Sequence, residues 1–222
     1  MLGVLLDLDG TLVDSNEAHA RAWMEALAEA GVPVEYEAVR AKIGEGGDKL
    51  LPELTGISHD SALGKKIRER RSEIFRLDYL PRLRAMPGAH ALLKLFRERG
   101  LRYVAATSSS RQDVELLLKQ ANLDGLITEL ATADDVSDSK PGPDLIFAAL
   151  DRIGLPPHEV MMLGDTPYDI AAAAKAGVST VAFTCGGWSR DQLAGAVAVY
   201  QGPWELLAAF EHSPFVRARS AA

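Results

Sequence analysis

Short apolar segments alternate regularly with helical segments along the C-terminal part of the chain, after the Pro87-Gly88 dipeptide. The pattern predicts strands at 102–106, 127–131, 160–163 and 179–183, and helices at 89–99, 111–121, 144–153 and 167–176. Strands that are separated by helices of about ten residues form right-handed βαβ units. We therefore predict an α/β fold, with a doubly wound parallel sheet and helices on both of its faces.

One more strand is predicted at the N-terminus, far from this series in the sequence. Residues 2–6 form a continuous apolar run, which is typical of a strand that is buried on both faces. Residues 15–85 contain no strand-like run and instead predict helices at 16–30, 35–54 and 60–80, with glycines at 44–47 interrupting the second. We therefore predict a core domain of residues 1–14 and 86–212, an inserted all-helical domain of residues 15–85, and a flexible tail at 213–222.

The composition excludes several classes of protein. Of the 222 residues, 47% are hydrophobic, which is sufficient for a buried core, and the formal net charge is −7. An acidic chain without a basic cluster is not expected to bind nucleic acid. Cys185 is the single cysteine, so no internal disulfide forms. No apolar stretch reaches the ~20 residues of a membrane span, and a strand stands where a signal peptide would begin, so we expect no membrane partner and a cytoplasmic location.

Two carboxylates stand where the first strand ends, in Asp7-Leu8-Asp9-Gly10-Thr11. The Asp9-Gly10 dipeptide favours a turn, and ligands of open α/β sheets bind outside the carboxyl ends of the strands. One carboxylate at such a place can act as a nucleophile, and the other as an acid/base or a metal anchor. A solvated Asp-Gly turn is the simpler alternative, which the other strand ends argue against.

Polar clusters follow other strands of the predicted sheet and should meet at the same edge. Asp165 follows the strand at 160–163, and we expect it to repel Asp7 and Asp9 unless a cation holds them together. Carboxylate oxygens of this kind suit Mg²⁺, which also binds phosphate oxygens. Thr107, at the end of another strand, and Lys140, before a helix, are placed to hold phosphoryl oxygens.

Some of these polar residues also fit purely structural roles. Ser110 begins a helix-capping pattern with Asp113, so we assign it to capping rather than to catalysis. Thr166 and Asp169 fit a capping box with proline at the first helical position. We therefore expect Asp169 to cap its helix and to lie behind the metal ligands rather than among them.

The order and spacing of four elements resemble the haloacid dehalogenase superfamily of phosphotransferases. The elements are Asp7-Leu8-Asp9-Gly10-Thr11, Thr107-Ser108, Lys140-Pro141 and Gly164-Asp165-Thr166-Pro167-Tyr168-Asp169. The helical insert stands where this family places a small cap domain on its Rossmann-like core. Within the family, the chain is most similar to the phosphoglycolate phosphatase and β-phosphoglucomutase branch, through residues 12–15, the four-helix cap and residues 140–143.

This resemblance implies a role for each matching residue. Asp7 would attack the substrate phosphorus to form an aspartyl-phosphate, and Asp9 would act as general acid and then as general base. Mg²⁺ would be bound by the Asp7 carboxylate, the Asp9 main-chain carbonyl and Asp165. Catalysis would also need Thr107 and Lys140. The implied substrate-binding residues are Gly10, His19, Gly46, Thr107, Ser108 and Lys140.

The helical insert would act as a lid with hinges near residues 13–15 and 80–87, and its size favours a small phosphorylated metabolite as substrate. His19 and Trp23 resemble a stretch at the hinge of sugar-phosphate mutases, but we favour a partly exposed helix residue for His19 and a core residue for Trp23. Lys49 is expected to face solvent. A solvated basic helix face is predicted for five residues, with the alternative that one of them reaches the substrate: Lys65, Lys66, Arg68, Arg70 and Arg71.

Three functions fit acidic strand ends on a doubly wound sheet: a phosphatase, another enzyme of the same fold (a phosphomutase or a dehalogenase), and a non-enzymatic receiver domain. Mutases of this branch carry an arginine just after the first glycine of the 42–49 loop, where this chain has Gly46-Gly47-Asp48, so we favour a phosphatase over a phosphomutase. Asp9 argues against a dehalogenase, which needs neither the acid nor the metal. A receiver domain has no insert of this size. The sequence therefore predicts a Mg²⁺-dependent phosphatase for a small phosphomonoester, acting as a monomer or a weak homodimer.

Overall fold

The computed structural model describes residues 1–217, in which six parallel strands form one sheet. The order across the sheet is β3-β2-β1-β4-β5-β6. The strands are β1 (Gly3–Leu6), β2 (Arg102–Ala106), β3 (Leu130–Ala131), β4 (Val160–Gly164), β5 (Ser179–Phe183) and β6 (Ala198–Tyr200). The predicted doubly wound α/β fold is confirmed.

The apolar strand β1 lies at the centre of the sheet and pairs with β2 on one side and β4 on the other. Its side chains alternate between two apolar clusters, because successive residues of a strand point to opposite faces. Leu6 joins the cluster that contains Phe96, and Leu5 joins the cluster that contains Ile146. Helices therefore cover both faces, and the residues that follow β1 emerge at the middle of the carboxyl edge.

Four helices of the core follow the predicted pattern within a few residues: α5 (Ala89–Glu98), α6 (Arg111–Gln120), α7 (Asp144–Ile153) and α8 (Pro167–Lys175). Two further helices, α9 (Pro203–Ala208) and α10 (Pro214–Arg217), were not predicted. Ser110 Oγ accepts a hydrogen bond from Asp113 N at 3.2 Å, which confirms the predicted cap of α6. None of the helices in residues 1–217 combines the length and apolar character that crossing a membrane requires.

Four helices form the insert, and we call this segment, residues 16–82, the cap. They are α1 (Asn16–Glu29), α2 (Tyr36–Arg40), α3 (Gly47–Thr55) and α4 (Ala62–Ile74). The predicted helix at 35–54 is thus two helices, separated by a loop that contains Gly44 at φ +103°. A π-helical turn (Phe75–Tyr79) and a 3₁₀ turn (Leu80–Arg82) continue α4.

The two connections between cap and core lie side by side, near the predicted hinges. Asp14 N donates to Arg84 O at 3.0 Å, and Met86 N donates to Leu12 O at 2.8 Å. A β-bridge joins Val13 and Ala85 between these two hydrogen bonds. Backbone N–H and C=O groups of the two connections are therefore paired with each other where the chain enters and leaves the cap.

Three predictions about the sheet and the C-terminus need correction. Strand β3 is only two residues long, and the half-buried edge strand β6 was not predicted, because its three residues give too short a pattern. The predicted tail at 213–222 is wrong for its first part: Ser213 is buried, and the Phe215 ring lies 5.3 Å from that of Phe96. Residues 218–222 lie outside the described residues.

Candidate active site

A cavity of about 340 Å³ lies between the carboxyl edge of the sheet and the cap. Its core side is lined by residues that follow β1 and β2, among them Asp7, Asp9, Thr107 and Ser108. Its cap side is lined by residues of α1, α3, α4 and the loop before α3, including His19, Trp23, Glu45, Arg68 and Arg71. The volume is at the lower end of the range for small-molecule sites, which run from about 300 to 1,000 Å³.

Asp7 lies at the core side of this cavity, directly after β1, and both of its carboxylate oxygens are held. Lys140 Nζ donates to Asp7 Oδ1 at 2.6 Å, and Thr11 Oγ1 lies 3.1 Å from Asp7 Oδ2. Lys140 is itself 1% exposed, and it also donates to Ala106 O at 2.8 Å. Lys140 therefore restrains Asp7 through a buried, charge-assisted hydrogen bond.

Asp7, Asp165 and Asp169 form a buried acidic cluster whose carboxylate oxygens lie within 4.8 Å of one another. Burial and the neighbouring carboxylates raise the pKa of Asp7 to about 7, against the opposing charge of Lys140. Burial, Asp7 and Asp169 raise the pKa of Asp165 well above its ordinary value. Three carboxylates with one ammonium in contact leave an excess of negative charge, and hard oxygen donors of this kind fit a divalent cation.

Two side chains orient Asp165: the hydroxyl of Thr11 and the amide of Asn16. The sequence alone did not indicate this role for either residue. Thr11 Oγ1 donates to Asp165 Oδ1 at 2.8 Å, and Asn16 Nδ2 donates to Asp165 Oδ2 at 2.9 Å and to Gly186 O at 3.0 Å. Gly10, at φ +79°, permits this approach, because a Cβ there would lie 2.0 Å from Asn16 Nδ2. Gly10 therefore shapes the turn, and it is not among the residues that line the cavity.

Asp169 combines two tasks at the start of α8. Its Oδ2 accepts hydrogen bonds from Thr166 N at 3.0 Å and from Asp165 N at 3.3 Å, which completes the predicted capping box with Thr166. Its Oδ1 lies 2.7 Å from Lys140 Nζ. Asp169 is therefore a helix cap that also fixes the position of Lys140.

Asp9 is only two residues from Asp7, but its carboxylate faces a different set of groups. Asp9 Oδ1 lies 2.6 Å from Ser15 Oγ and 2.7 Å from His19 Nε2, and Ser109 Oγ donates to Asp9 Oδ2 at 3.0 Å. Burial opposes ionisation, but His19 and the two hydroxyls outweigh it and hold the pKa of Asp9 below its usual range. The expected repulsion between the Asp9 carboxylate and the acidic cluster is therefore relieved by these partners.

His19 is buried, which corrects the expectation of a partly exposed helix residue. Its ring stacks on Phe75 with centroids 4.2 Å apart, while Nδ1 contacts the guanidinium of Arg71. A guanidinium only donates hydrogen bonds, so Nδ1 must be the acceptor and Nε2 must carry the proton that is donated to Asp9. The contacts thus assign a tautomer in which His19 orients Asp9.

Thr107 and Ser108 lie beside Asp7 at the end of β2. Thr107 Oγ1 accepts a hydrogen bond from Ser109 N at 3.2 Å, so the hydroxyl proton of Thr107 points away from that amide. Ser108 Oγ is buried without a hydrogen-bond partner, although it lines the cavity. An unpaired buried hydroxyl is costly, and a polar ligand in the cavity would satisfy it.

The loop before α3 closes against the core, and this changes the role expected for Gly46. Gly46 N already donates to Lys140 O at 3.2 Å, so this amide is engaged by protein, and Gly46 is not among the lining residues. A Cβ at Gly46 would lie 1.6 Å from Ser139 Oγ. Lys49 does not simply face solvent, since its Nζ lies 2.6 Å from Asp138 Oδ1. Glycine is thus needed here for contact between cap and core.

The prediction of one solvated basic face on α4 is wrong for two of its five members. Lys65 and Lys66 are exposed, and Arg70 forms surface ion pairs with Glu29 and Glu73. Arg68 and Arg71 instead line the cavity. Trp23 is buried as expected, although it also lines the cavity and lies against Arg71.

Comparisons with known proteins agree with this architecture. The family described as haloacid dehalogenase-like hydrolase matches residues 4–183. A phosphoglycolate phosphatase of Rhodospirillum rubrum is 32% identical over 207 residues, covering 89% of this chain and 86% of that protein. A hydrolase from Pseudomonas syringae superposes with a TM-score of 0.89 at 33% identity, covering 96% of this chain and 99% of that chain. A Bacteroides vulgatus structure with the provisional name β-phosphoglucomutase gives a TM-score of 0.85 at 26% identity, over 95% of this chain and 88% of that chain. With its acidic site at the carboxyl edge of a parallel sheet and this match over most of its length, the chain belongs to the haloacid dehalogenase-like hydrolases.

Proposed function

We propose that this chain is a Mg²⁺-dependent phosphatase that hydrolyses a small phosphomonoester through an aspartyl-phosphate. The observation that carries the proposal is the setting of Asp7, whose carboxylate lines a small cavity and is in contact with Lys140 and Thr11. A nucleophile must be held in one orientation close to its electrophile, and these contacts supply that orientation.

Asp7 and Asp165 are the side chains that would hold Mg²⁺, together with the main-chain carbonyl of Asp9. The acidic cluster supports this proposal, since it gathers buried carboxylates in excess of the one ammonium in contact with them. When bound, Mg²⁺ would neutralise charge between the Asp7 carboxylate and an anionic phosphate. Thr11 and Asn16 would keep the Asp165 oxygens oriented toward it.

Two displacements at phosphorus make up the proposed reaction. A carboxylate oxygen of Asp7 forms a bond to phosphorus while the bond to the leaving alcohol breaks, and Asp9 gives its proton to that alcohol. Water then attacks the aspartyl-phosphate, Asp9 takes the proton of the water, and inorganic phosphate leaves with Asp7 restored. Ser108 Oγ, Thr107 and Lys140 would bind the phosphoryl oxygens throughout.

The two roles of Asp9 need opposite protonation states, because the acid of the first step must be protonated and the base of the second step must be ionised. Without substrate, His19 and the hydroxyls of Ser15 and Ser109 favour the carboxylate form of Asp9. An anionic phosphate close to Asp9 would raise its pKa, because like charges disfavour ionisation. Substrate would thereby promote the protonated form that the first step needs.

A phosphomutase is the alternative, suggested by the Bacteroides vulgatus relative named as a β-phosphoglucomutase. A mutase must hold a second phosphate while the substrate turns over in the site. The cap loop offers glycines at 46 and 47, and the nearby Lys49 is already paired with Asp138. The phosphatase is therefore favoured, in line with the name of the Rhodospirillum rubrum relative.

The direct test is phosphate release from a panel of small phosphomonoesters with Mg²⁺, with the wild type beside Asp7→Asn. The panel includes phosphoglycolate, a hexose phosphate, a polyol phosphate and a nucleotide. We expect release that requires Asp7, together with an intact fold of the variant as judged by circular dichroism. Release that persists in Asp7→Asn would place the nucleophile elsewhere, and isomerised product without free phosphate would identify a mutase.

We also propose a small phosphorylated metabolite as the partner of this chain, and a monomer or weak homodimer in the cytoplasm. The acidic charge of −7 and the single cysteine support a protein of a reducing compartment that does not bind nucleic acid. Light scattering after size exclusion at several concentrations should give the mass of one chain, 23.9 kDa, at the lowest of them. A larger mass at every concentration would contradict this assembly state.

A further inference from the structure

Residues 184–188, which we call the β5 loop, follow strand β5 at the catalytic edge of the sheet and have no part in the proposed reaction. The loop backbone lies directly against a proposed metal ligand, because a Cβ at Gly186 would lie 1.7 Å from Asp165 Oδ2. Cys185 Sγ also donates to Gly10 O at 3.3 Å. The β5 loop therefore forms one wall around Asp165, and glycine is needed at the point of closest approach.

The main-chain oxygen of Gly186 accepts two hydrogen bonds from the cap. One comes from Asn16 Nδ2 at 3.0 Å, and the other comes from the guanidinium of Arg40. A carbonyl oxygen has two lone pairs, so this oxygen is fully used. Asn16 begins α1 beside the hinge, whereas Arg40 is the last residue of α2. The Arg40 bond thus joins a distant part of the cap to the β5 loop.

Asn16 connects the Gly186 carbonyl to Asp165. The same Nδ2 atom donates to Asp165 Oδ2 at 2.9 Å, whereas Asn16 Oδ1 is buried with no hydrogen-bond partner within residues 1–217. The amide is therefore oriented by its nitrogen alone, through Gly186 O and Asp165. A shift of the Gly186 carbonyl would remove one of these two contacts and loosen the orientation of the Asp165 carboxylate.

Arg40 is committed to this contact. Within the described part of the chain, Gly186 O is the one hydrogen-bond acceptor of its guanidinium, and no carboxylate oxygen lies within 4.0 Å of its nitrogens. The bond crosses from cap to core, so it exists only while α2 rests on the β5 loop. Closure of the cap is thus connected to Asp165 through one carbonyl and one amide.

We propose that Arg40 and Asn16 are positioning residues for Asp165, so that Mg²⁺ binds more tightly when the cap is closed and in turn favours the closed cap. This inference rests on the metal site of the proposed function but not on the hydrolysis itself. Arg40 holds the β5 loop against Asp165, and Asn16 orients the carboxylate. Coupling between two equilibria is reciprocal, so the cation must favour closure by the same factor by which closure raises its affinity.

The first test is calorimetry with Mg²⁺ alone, without substrate, on the wild type and on Arg40→Met. Methionine retains much of the length of the side chain but cannot donate to Gly186 O. We expect the Kd for Mg²⁺ to rise about 10-fold, the lower end of the range for partners of metal ligands. Arg21→Met is the matched control, since Arg21 pairs with Glu17 on the exposed side of α1, and it should change the Kd by less than about twofold. An unchanged Kd in Arg40→Met would overturn the inference.

A double-mutant cycle tests the route through Asn16. Because both residues act through the Gly186 carbonyl, Arg40→Met should change the Kd by less than about twofold once Asn16→Ala is present. A full 10-fold effect of Arg40→Met in the Asn16→Ala protein would show that Asn16 does not transmit the contact, and would overturn this route.

Hydrogen exchange tests the reciprocal effect on the cap. Gly46 N in the cap donates to Lys140 O in the core, so this amide should be protected while the cap is closed. We expect saturating Mg²⁺ to slow exchange of the Gly46 amide in the wild type, and to do so much less in Arg40→Met. Exchange that Mg²⁺ leaves unchanged in the wild type, or slows equally in both proteins, would overturn the coupling.

These measurements separate the inference from the proposed reaction. A wild type that binds Mg²⁺ with this dependence on Arg40, yet releases no phosphate from any substrate, would retain the coupling and overturn the phosphatase. Phosphate release by a wild type whose Mg²⁺ affinity is insensitive to Arg40→Met would do the reverse.

Discussion

At the scale of single residues, Asp7 and Asp9 show how neighbours rather than residue type set the chemistry of a side chain. Both follow the same strand, Asp7 buried and Asp9 partly buried, yet the pKa of Asp7 is raised to about 7 and that of Asp9 is lowered. The Asp7 carboxylate shares a low-dielectric site with two other carboxylates, while the Asp9 carboxylate faces His19 and two hydroxyls. The same fold therefore gives two neighbouring carboxylates different pKa values, as is common where two carboxyl groups have different chemical roles.

His19→Phe tests the orientation of Asp9 at this scale. Phenylalanine retains an aromatic ring that can stack on Phe75 but removes the donor to Asp9 Oδ1. We expect kcat to fall about 10²-fold with a smaller change in KM, because the group that transfers protons loses its orientation. Steady-state kinetics with phosphoglycolate or the preferred substrate of the panel measures the effect.

The control for this variant is His90→Phe, which replaces a histidine that bonds Asn122 O outside the cavity. It should retain kcat within about twofold, as expected for a surface position. Unchanged kcat in His19→Phe would contradict the positioning role. A parallel fall in both variants would point to a general loss of folded protein.

At the scale of elements, the loop between α2 and α3 determines how the cap meets the core. The loop contacts the core at Lys140 O through Gly46 N and at Tyr168 through Ala41 O, and Lys49 in the first turn of α3 contacts Asp138. The loop also contributes Ile43, Gly44 and Glu45 to the lining of the cavity. The loop thus connects closure of the cap to the geometry of the site.

Gly46→Ala tests this contact. The added Cβ would lie 1.6 Å from Ser139 Oγ, so the loop must move away from the core. A displacement of about 1 Å in a catalytic constellation costs about 10²-fold in rate, and we expect a loss of that order in kcat/KM. Gly125→Ala is the matched control, because no atom lies within 4 Å of the Cβ that it would add. Equal activities of the two variants would show that closure of this loop does not matter to the reaction.

At the scale of the whole molecule, the proposed cation site in the buried acidic cluster would couple folding to the binding of Mg²⁺. A cation that binds only the folded state stabilises it by about 2.7 kcal/mol at a concentration a hundred times its Kd. We therefore expect millimolar Mg²⁺ to raise the Tm by several degrees, with a dependence on concentration. Chelation with EDTA should reverse the shift and abolish phosphate release.

The Tm shifts that Mg²⁺ causes in Asp165→Ala and in Asp60→Ala test whether the cation binds at the acidic cluster. Asp165 is fully buried in it, whereas the Asp60 side chain is exposed on the cap. Asp165→Ala should remove the response of the Tm to Mg²⁺, and Asp60→Ala should leave it intact. An undiminished shift in Asp165→Ala would mean that the cation binds elsewhere.

Much of the fold and of the core side of the site could be predicted from sequence because the signals are local. Strand β5 was predicted with its observed bounds, Ser179–Phe183, from an apolar run between turn residues. The helix cap formed by Ser110 on α6 and the capping box formed by Thr166 on α8 each depend on two residues that are three positions apart. Asp7 and Lys140 were predicted to lie together because strand ends of a parallel sheet share one edge. They do so, at 2.6 Å.

The cap side of the site was decided by tertiary structure. Nothing near His19 in the sequence specifies that its ring stacks on Phe75, 56 residues later by their numbers, or that Arg71 contacts it. The periodicity of α4 shows that Arg68 and Arg71 share a face but not what that face packs against. Composition and local pattern thus determined the elements, their order and the catalytic edge of the sheet. Arg68 and Arg71, which the sequence predicted to be solvated, line the cavity because of how the cap packs on that edge. Local sequence could not predict this, because burial depends on contacts between segments that are distant in the chain.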